Sequence, residues 1–294
     1  PRGAGEQRSE EMGAMQSVLH ARRCDPKVGD WLAALDGVEL GAVEAAQVRH
    51  IRRGFERTSK VPERLAVELA RKTSEAHGIW AEARETEDVA AFLPALQDVV
   101  RLRREEGAAL AVGGDVYDAL LQDYEPGTTA ADLAAMFDAM RPDLVALREA
   151  ALAKPAPAAL SGEFDEGKQM RLARQLAKTF GYEMANGRVD KAVHPFSSGS
   201  GQDVRITTRT NPVDPFNCFY STIHEVGHGA YEQGIDRDYL LTPLGQGVSM
   251  GVHESQSRIY ENQLGRSRAF TGWLFGQMRD AFGDFGIAAH HRFP

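Results

Sequence analysis

Apolar residues recur every three or four positions through the first 190 residues of the chain. That spacing places them on one face of an α-helix, so the pattern predicts a helical region, 1–190, whose apolar stripes face a core. Thr129 and Asp132 resemble a capping box, and Pro142 is expected to kink or restart the helix that follows. The stripes are Val48, Ile51 and Phe55; Leu65, Leu69, Ala76 and Trp80; Phe92, Leu96 and Val99; and Leu133, Phe137, Met140, Leu144 and Leu147.

The pattern changes in the last third of the chain. Lys154–Pro157 predicts a break, and the helix after it is expected to stop near Gly181. Ser197–Gly201 is expected to be a flexible loop. Residues Asp203–Arg209 alternate with a period of two, which is the one clear strand pattern in the chain. One predicted face carries Val204, Ile206 and Thr208, and the other carries Asp203, Arg205, Thr207 and Arg209.

Residues Asp214–Gly234 predict a helix that carries a metal-binding motif, His224-Glu225-Val226-Gly227-His228. Asp214 followed by a proline is a typical helix start, and Gly234 is a typical stop. Four residues turn a helix by about 400°, so the two imidazoles point the same way, one turn apart. They can share one Zn²⁺, while Glu225 lies to the side, where it can take a proton from a bound water.

Two glycines, Gly227 and Gly229, lie inside this predicted helix on either side of the second histidine. Each weakens the helix by roughly 1 kcal/mol relative to alanine. We therefore expect another backbone, or a metal-bound substrate, to come close to the helix there.

A catalytic zinc site needs a third protein ligand and an open position. The extended pattern with a third histidine is absent, because Gly234 stands where that histidine would be. Glu254, 26 residues after His228, lies in a second stretch that predicts a helix and is a candidate third ligand. Its neighbours His253 and Glu261 are rival candidates, and spacing alone leaves the choice open.

Four segments resemble one known family, the thermostable (Taq-type) metallocarboxypeptidases of peptidase family M32. His224–Gly234 is similar to its active-site helix, and Gly251–Arg258 contains its H-E-S-Q sequence. Asp203–Thr207 matches its D-x-R-x-T motif, and His194–Phe196 its H-P-F motif. The motifs occur in the family's order and with similar spacing.

The resemblance implies a mainly α, multi-helix, zincin-like (gluzincin) metallopeptidase with a small β-sheet beside the H-E-x-x-H helix. It implies a cytoplasmic carboxypeptidase, often a homodimer, that acts on peptides with a free C-terminus. In the family the two motif histidines and the glutamate of H-E-S-Q bind the metal, which corresponds here to His224, His228 and Glu254. Glu225 then corresponds to the catalytic base.

We expect one divalent ion per chain, zinc by preference with cobalt or manganese as alternatives, in a catalytic region 191–294 that continues the helical fold. The polar strand face with Asp203, Arg205 and Thr207 is expected to contact substrate or brace the site, as are His194 and His253. The function predicted is a zinc-dependent carboxypeptidase in which a metal-activated water attacks the peptide bond. An inactive metal-binding helical module and a metallo-endopeptidase are the alternatives.

Composition excludes several other classes of protein. The 294 residues carry a net charge of −8, which argues against nucleic-acid binding. Two cysteines are too few for a disulfide framework, so a cytoplasmic location is expected. No apolar run approaches the roughly 18 residues of a membrane span, so no membrane partner is expected.

The sequence is also expected to be a fragment, because it has no initiator methionine and lacks two motifs found further along the family. Those motifs, I/L-R-x-x-A-D and G-x-x-Q-D-x-H-W, are linked in the family to binding the substrate's C-terminal carboxylate. We therefore expect the 294 residues alone to hold zinc, to hydrolyse peptides poorly and to leave Phe216 and Phe219 in need of cover.

Overall fold

In the computed structural model, the described residues are 2–156 and 158–287, and they form eleven α-helices and three β-strands. This confirms the mainly α fold with a small sheet. The chain divides between residues 133 and 134 into two compact units. The functional division expected at residue 190 stays a prediction, and Pro157 and the end of the chain, 288–294, lie outside the described residues. Within the described part, no helix combines the length and apolar character needed to cross a membrane.

Three of the six helices of the first unit begin at an aspartate that caps them. The side chains of Asp25, Asp88 and Asp115 each accept a hydrogen bond from a backbone N–H in the first turn, as good N-caps do. Its core lies between the fourth and fifth helices and contains Val61, Leu65, Leu69, Leu102 and Leu110. The helices are α1 (Gly5–Arg23), α2 (Pro26–Ala34), α3 (Ala42–Lys60), α4 (Glu63–Thr86), α5 (Val89–Ala111) and α6 (Val116–Leu121).

Helix α7 (Ala130–Leu152) begins with the predicted capping box. The Thr129 N–H donates to the Asp132 carboxylate, and the Thr129 hydroxyl accepts from the Asp132 N–H. The helix runs unbroken through Pro142. Its apolar stripe, expected in a core, is not buried: Phe137 is 54% exposed. The expected core position of this stripe is therefore wrong, because periodicity does not say which surface covers a helix face.

In the second unit, α8 (Glu166–Thr179) leads into a three-stranded sheet with the order β1-β3-β2. The strands are β1 (Gly187–Lys191), β2 (Ser197–Ser200) and β3 (Asp203–Thr208). The predicted strand is thus confirmed, and the predicted face of Val204, Ile206 and Thr208 is buried. The expected flexible loop at Ser197–Gly201 is wrong, because β2 pairs antiparallel with β3 along Ser197–Ser200. Its Ser/Gly sequence has no strand pattern of its own, so pairing to β3 sets its conformation.

The remaining helices of the second unit pack around α9 (Pro215–Gln233). These helices are α10 (Met250–Arg258) and α11 (Arg268–Phe282), and a π-helical turn over Ile259–Leu264 lies between them. Phe219 is fully buried and Phe216 is partly buried against the same core, so the expected need for cover at these residues is wrong. Cys218 is buried beside the sheet, where the Thr208 hydroxyl donates to its carbonyl oxygen at 2.9 Å. The core is formed by Phe164, Leu172, Leu176, Phe219, Ile223, Leu274, Met278 and Phe285.

Candidate metal centre

Helix α9 places the two motif histidines on one partly open face. The Asp214 side chain caps its first turn by accepting from the Phe216 N–H at 3.1 Å, and Gly234 is the C-cap, as predicted. The opposite face is buried in the core of the second unit. The imidazoles of His224 and His228 lie one turn apart with ring centroids separated by 4.9 Å, and each side chain is 18% exposed. The helix is therefore fixed by its core while both rings remain reachable.

Helix α10 crosses α9 at Gly227, in the middle of the motif. A Cβ atom at Gly227 would lie 2.5 Å from the Ser257 Cα and 3.0 Å from the Ser257 backbone nitrogen. The glycine therefore lets a second backbone come close, which is one of the two reasons expected from the sequence. At Gly229 the space is filled by side chains and not by a second backbone, because its neighbours are the Tyr182 ring and the Ile206 side chain. The close crossing at Gly227 brings Glu254 of α10 to the two histidines.

Glu254 of α10 lies opposite both histidines. Its Oε2 is 3.2 Å from the His228 Nε2 and 3.6 Å from the His224 Nε2. One donor atom from each of the three side chains falls within 4.8 Å of the others. Ligands 2.0–2.1 Å from a tetrahedral Zn²⁺ are separated from one another by about 3.3 Å, close to both observed distances. Two imidazole nitrogens and one carboxylate oxygen are also a donor set that zinc prefers, so the residues fit a divalent metal.

The rival ligand candidates lie behind the histidines, on the far side of each ring. The Glu261 Oε2 is 3.0 Å from the His224 Nδ1. The His253 Nδ1 is 2.7 Å from the His228 Nδ1. Both histidines thus keep their Nε2 atoms directed at Glu254 while their Nδ1 atoms are bound elsewhere. Partners of this kind fix the orientation and tautomer of a metal-binding histidine.

Arg258 joins two carboxylates of this site. Its Nε donates to the Glu254 Oε1 at 2.8 Å, and its Nη1 donates to the Glu261 Oε2 at 3.1 Å. Glu261 also accepts from Arg266, whose guanidinium lies 4.2 Å from the centre of the Tyr220 ring. The arginines offset the negative charge of two carboxylates that lie close together.

Burial sets the charge states of the helix residues. It lowers the pKa of His228 to about 4, with the positive charges of His224 and His253 acting in the same direction. His228 is therefore neutral at neutral pH, as a metal ligand must be. Burial raises the pKa of Glu225 to about 7, and the negative charge of Glu254 adds to the effect. Burial opposes ionisation of Glu254 as well, but the charge of His224 and the hydrogen bond and charge of Arg258 outweigh burial and lower the pKa of Glu254.

The predicted polar strand face divides into an exposed ion pair and a buried threonine. Arg205 donates from Nε and Nη2 to the two carboxylate oxygens of Asp203, at 2.8 and 2.9 Å, on the exposed side of the sheet. Thr207 is buried, and its Oγ1 accepts from the Phe196 N–H at 2.8 Å. The exposed His194 places its Nδ1 2.6 Å from the Pro195 carbonyl oxygen. The contacts of Thr207 therefore hold the His194–Phe196 segment on β3.

One residue of this centre was not selected from the sequence. Glu232 accepts from the His253 Nε2 at 2.9 Å, and its side chain is 15% exposed. Its position four residues after His228 would place both on one face of α9, so the helical spacing held the signal. The H-E-x-x-H motif itself ends at His228 and does not include Glu232.

Comparison with known proteins gives consistent matches over almost the whole chain. Residues 1–293 match the family described as carboxypeptidase Taq (M32) metallopeptidase. Thermostable carboxypeptidase 1 of Thermus thermophilus is 40% identical over 97% of this chain and 59% of the relative. Carboxypeptidase 1 of Bacillus subtilis is 30% identical over 96% of the chain and 57% of the relative. The chain thus spans somewhat more than half the length of these relatives.

Solved structures agree with the sequence comparison. The M32 carboxypeptidase from Deinococcus radiodurans superposes with a TM-score of 0.84 at 37% identity, covering 96% of this chain and 57% of the other. Metallocarboxypeptidase 1 of Trypanosoma cruzi also gives a TM-score of 0.84, at 32% identity, covering 99% of this chain and 60% of the other. Sequence motifs, fold and site geometry therefore all point to the same family.

Proposed function

The chain belongs to the carboxypeptidase Taq (M32) family of metallopeptidases, and from that we propose that it carries the metal centre of a zinc-dependent carboxypeptidase. The reaction proposed is removal of single residues from the C-termini of peptides. The observation that carries the proposal is the convergence of His224, His228 and Glu254 within 4.8 Å, next to the buried Glu225. Zinc is proposed over cobalt or manganese because the site offers two imidazoles and only one carboxylate.

We assign the metal-binding roles to His224, His228 and Glu254, through the Nε2, Nε2 and Oε2 atoms that face one another. A bound divalent ion at such a site supplies Lewis-acid polarisation of a carbonyl and acidifies a water. Glu225 is proposed as the general base, which takes a proton from water at its carboxylate and passes it to the leaving amine. A pKa of about 7 suits a group that must both accept and release a proton near neutral pH.

Recognition of the substrate's terminal carboxylate calls for a cation with donors to spare. Two arginines of the site and its strand are already engaged: Arg205 donates to both carboxylate oxygens of Asp203, and Arg258 donates to Glu254 and Glu261. We therefore propose that the carboxylate-binding group is a different residue of the whole protein. Asp203 and Arg205 are proposed to stabilise the strand beside the site, and Thr207 to hold His194 near it.

We propose a cytoplasmic location and a homodimer, both of which the family resemblance implies. The two cysteines support the first proposal. Neither Cys24 nor Cys218 forms a disulfide, and the Cys218 thiol is buried. A chain without a disulfide is compatible with a reducing compartment.

The activity is tested with an N-blocked dipeptide that has a free C-terminus and with its C-terminally amidated twin. We expect the full-length protein to cleave the free form and to leave the amide intact, because only the free form offers a carboxylate. Cleavage of both would indicate a metallo-endopeptidase. Cleavage of neither, by zinc-loaded protein, would indicate an inactive metal-binding module and contradict the proposed function.

Metal binding is expected to stabilise the fold. An ion present at 100 times its dissociation constant raises the free energy of unfolding by about 2.7 kcal/mol. Thermal unfolding in zinc and in excess chelator measures the difference, and replacing His224 with alanine should abolish it. If zinc stabilised the wild type and the His224→Ala variant against thermal unfolding by the same amount, zinc would bind elsewhere in the protein.

A further inference from the structure

The two histidines of the proposed metal centre are supported by different groups. Behind His224 lies a carboxylate, Glu261, at 3.0 Å from Nδ1. Behind His228 lies a second imidazole, that of His253, with the two Nδ1 atoms 2.7 Å apart. The other nitrogen of His253 is 2.9 Å from the Glu232 Oε1. His228, His253 and Glu232 therefore form a continuous hydrogen-bonded row that leads away from the metal donors.

For neutral imidazoles, the positions of the protons in this row follow from what each group can donate and accept. A carboxylate offers only acceptors, so the Nε2 of His253 carries the hydrogen that it donates to Glu232. In a neutral imidazole the other nitrogen is then an acceptor, so the Nδ1 of His253 must receive a hydrogen from the Nδ1 of His228. His228 is then left with a lone pair at Nε2. That is the atom which faces Glu254 at 3.2 Å.

Packing holds His253 in this row. The Tyr231 ring lies against it at 4.4 Å between ring centroids, tilted by 31°. A Cβ atom at position 247 would lie 3.0 Å from the Cδ2 of His253. The glycine at this position therefore leaves space for the His253 ring. The Tyr231 hydroxyl accepts from the Val248 N–H at 3.3 Å, which connects the stacked ring to the segment before α10. The imidazole is thus oriented from several sides.

We propose that His253 and Glu232 are positioning residues that fix His228 in the tautomer with a free Nε2. This deepens the proposed function, since it concerns how the same centre takes up its metal. His253 is then neither a metal ligand nor a contact of the substrate. Glu232 acts indirectly. It fixes the proton of His253 at Nε2, and His253 in turn fixes the proton of His228 at Nδ1.

The test measures the zinc dissociation constant of the full-length protein by competition with a chromogenic chelator. Replacing His253 with leucine, or Glu232 with leucine, is expected to weaken zinc binding by about 10- to 100-fold, as for other partners of metal-binding histidines. His253→Asn should lose less than His253→Leu, because its side-chain oxygen can stand in for the Nδ1 acceptor. In the His253→Asn background, Glu232→Leu should cause no further loss. Glu166→Gln is the charge-matched control, since Glu166 pairs with Lys191 on the surface.

A second measurement needs no variant and reads the tautomer directly. Nitrogen-15 spectra of the histidine side chains in the zinc-loaded protein should show His228 protonated at Nδ1 and bound through Nε2. Unchanged zinc affinity in His253→Leu, or binding of His228 through Nδ1, would overturn the inference while leaving the carboxypeptidase proposal standing. Failure of the wild-type protein to bind zinc would overturn both.

Discussion

Replacing Glu225 with glutamine is expected to reduce kcat by about 10²- to 10⁴-fold and to leave zinc affinity nearly unchanged. The amide has almost the same shape as the carboxylate but cannot accept the proton of the attacking water. Glu225 lies on the helix between the two histidines and is only 6% exposed. We expect the loss near the upper end of the range, because the same group would also return the proton to the leaving amine.

Kinetics and metal content separate this role from a structural one. The His224→Ala variant is the matched comparison, because it should lose zinc and activity together. The Glu225→Gln variant should instead keep its zinc and its thermal stability. Turnover near the wild-type value in the glutamine variant would show that Glu225 is not the base and would refute the proposed role.

Replacing Gly227 with alanine is expected to damage the centre without touching a ligand. The added methyl group would meet the backbone of α10 at Ser257, where neither atom belongs to a side chain that can rotate away. Alanine favours a helix over glycine by about 1 kcal/mol, but overpacking of this kind typically costs about 1–3 kcal/mol and more where backbones must separate. We expect a net loss of about 2 kcal/mol in the free energy of unfolding. Displacement of α10 carries Glu254 away from the histidines, so zinc should bind at least about tenfold more weakly.

The control is the same substitution at a helical glycine with free space. Gly276 lies inside α11, and a Cβ atom there meets nothing within 4 Å. Gly276→Ala should therefore raise the free energy of unfolding by about 0.5–1 kcal/mol. Chemical denaturation and zinc titration of both variants measure the contrast. If the Gly227→Ala protein were as stable and bound zinc as tightly as the Gly276→Ala protein, the α9–α10 crossing would have room for a methyl group and this prediction would be wrong.

The sequence predicted the helix ends and the strand face that are set by residues close to them in the chain. The helix around the motif begins at Asp214 and ends at Gly234 because a capping carboxylate and a glycine act within one turn of their own position. The apolar face of β3 follows from its alternation, since Val204, Ile206 and Thr208 are all buried on one side, whereas burial of Thr207 on the other side comes from its contacts with the His194–Phe196 segment. Motif spacing likewise selected His224 and His228, whereas the family resemblance selected Glu254, and the structure brings the three side chains together.

Features that depend on distant partners could not be predicted in this way. Ser197–Ser200 has no strand pattern, and β3 imposes the extended conformation on it by pairing. The stripe that includes Phe137 has the right period for a core, yet a period does not specify what covers the face. The support of His228 by His253 required knowing how α10 crosses α9, because residues on two helices meet there. Glu232 was within reach of sequence reasoning, since it stands one helical turn after a motif histidine.

The buried Cys218 gives the second unit an internal reporter of its own integrity. Burial raises the pKa of its thiol to about 11, so almost none of the reactive thiolate exists at neutral pH while α9 is packed against β3. An alkylating reagent can then reach this sulfur only during the moments when that contact opens. The rate of labelling at Cys218 consequently measures how often the contact between α9 and β3 opens, just as amide hydrogen exchange measures the opening of backbone hydrogen bonds. Because Cys218 lies six residues before His224, about 1.7 turns of the same helix, such labelling follows the motif helix without a probe attached to the proposed metal ligands.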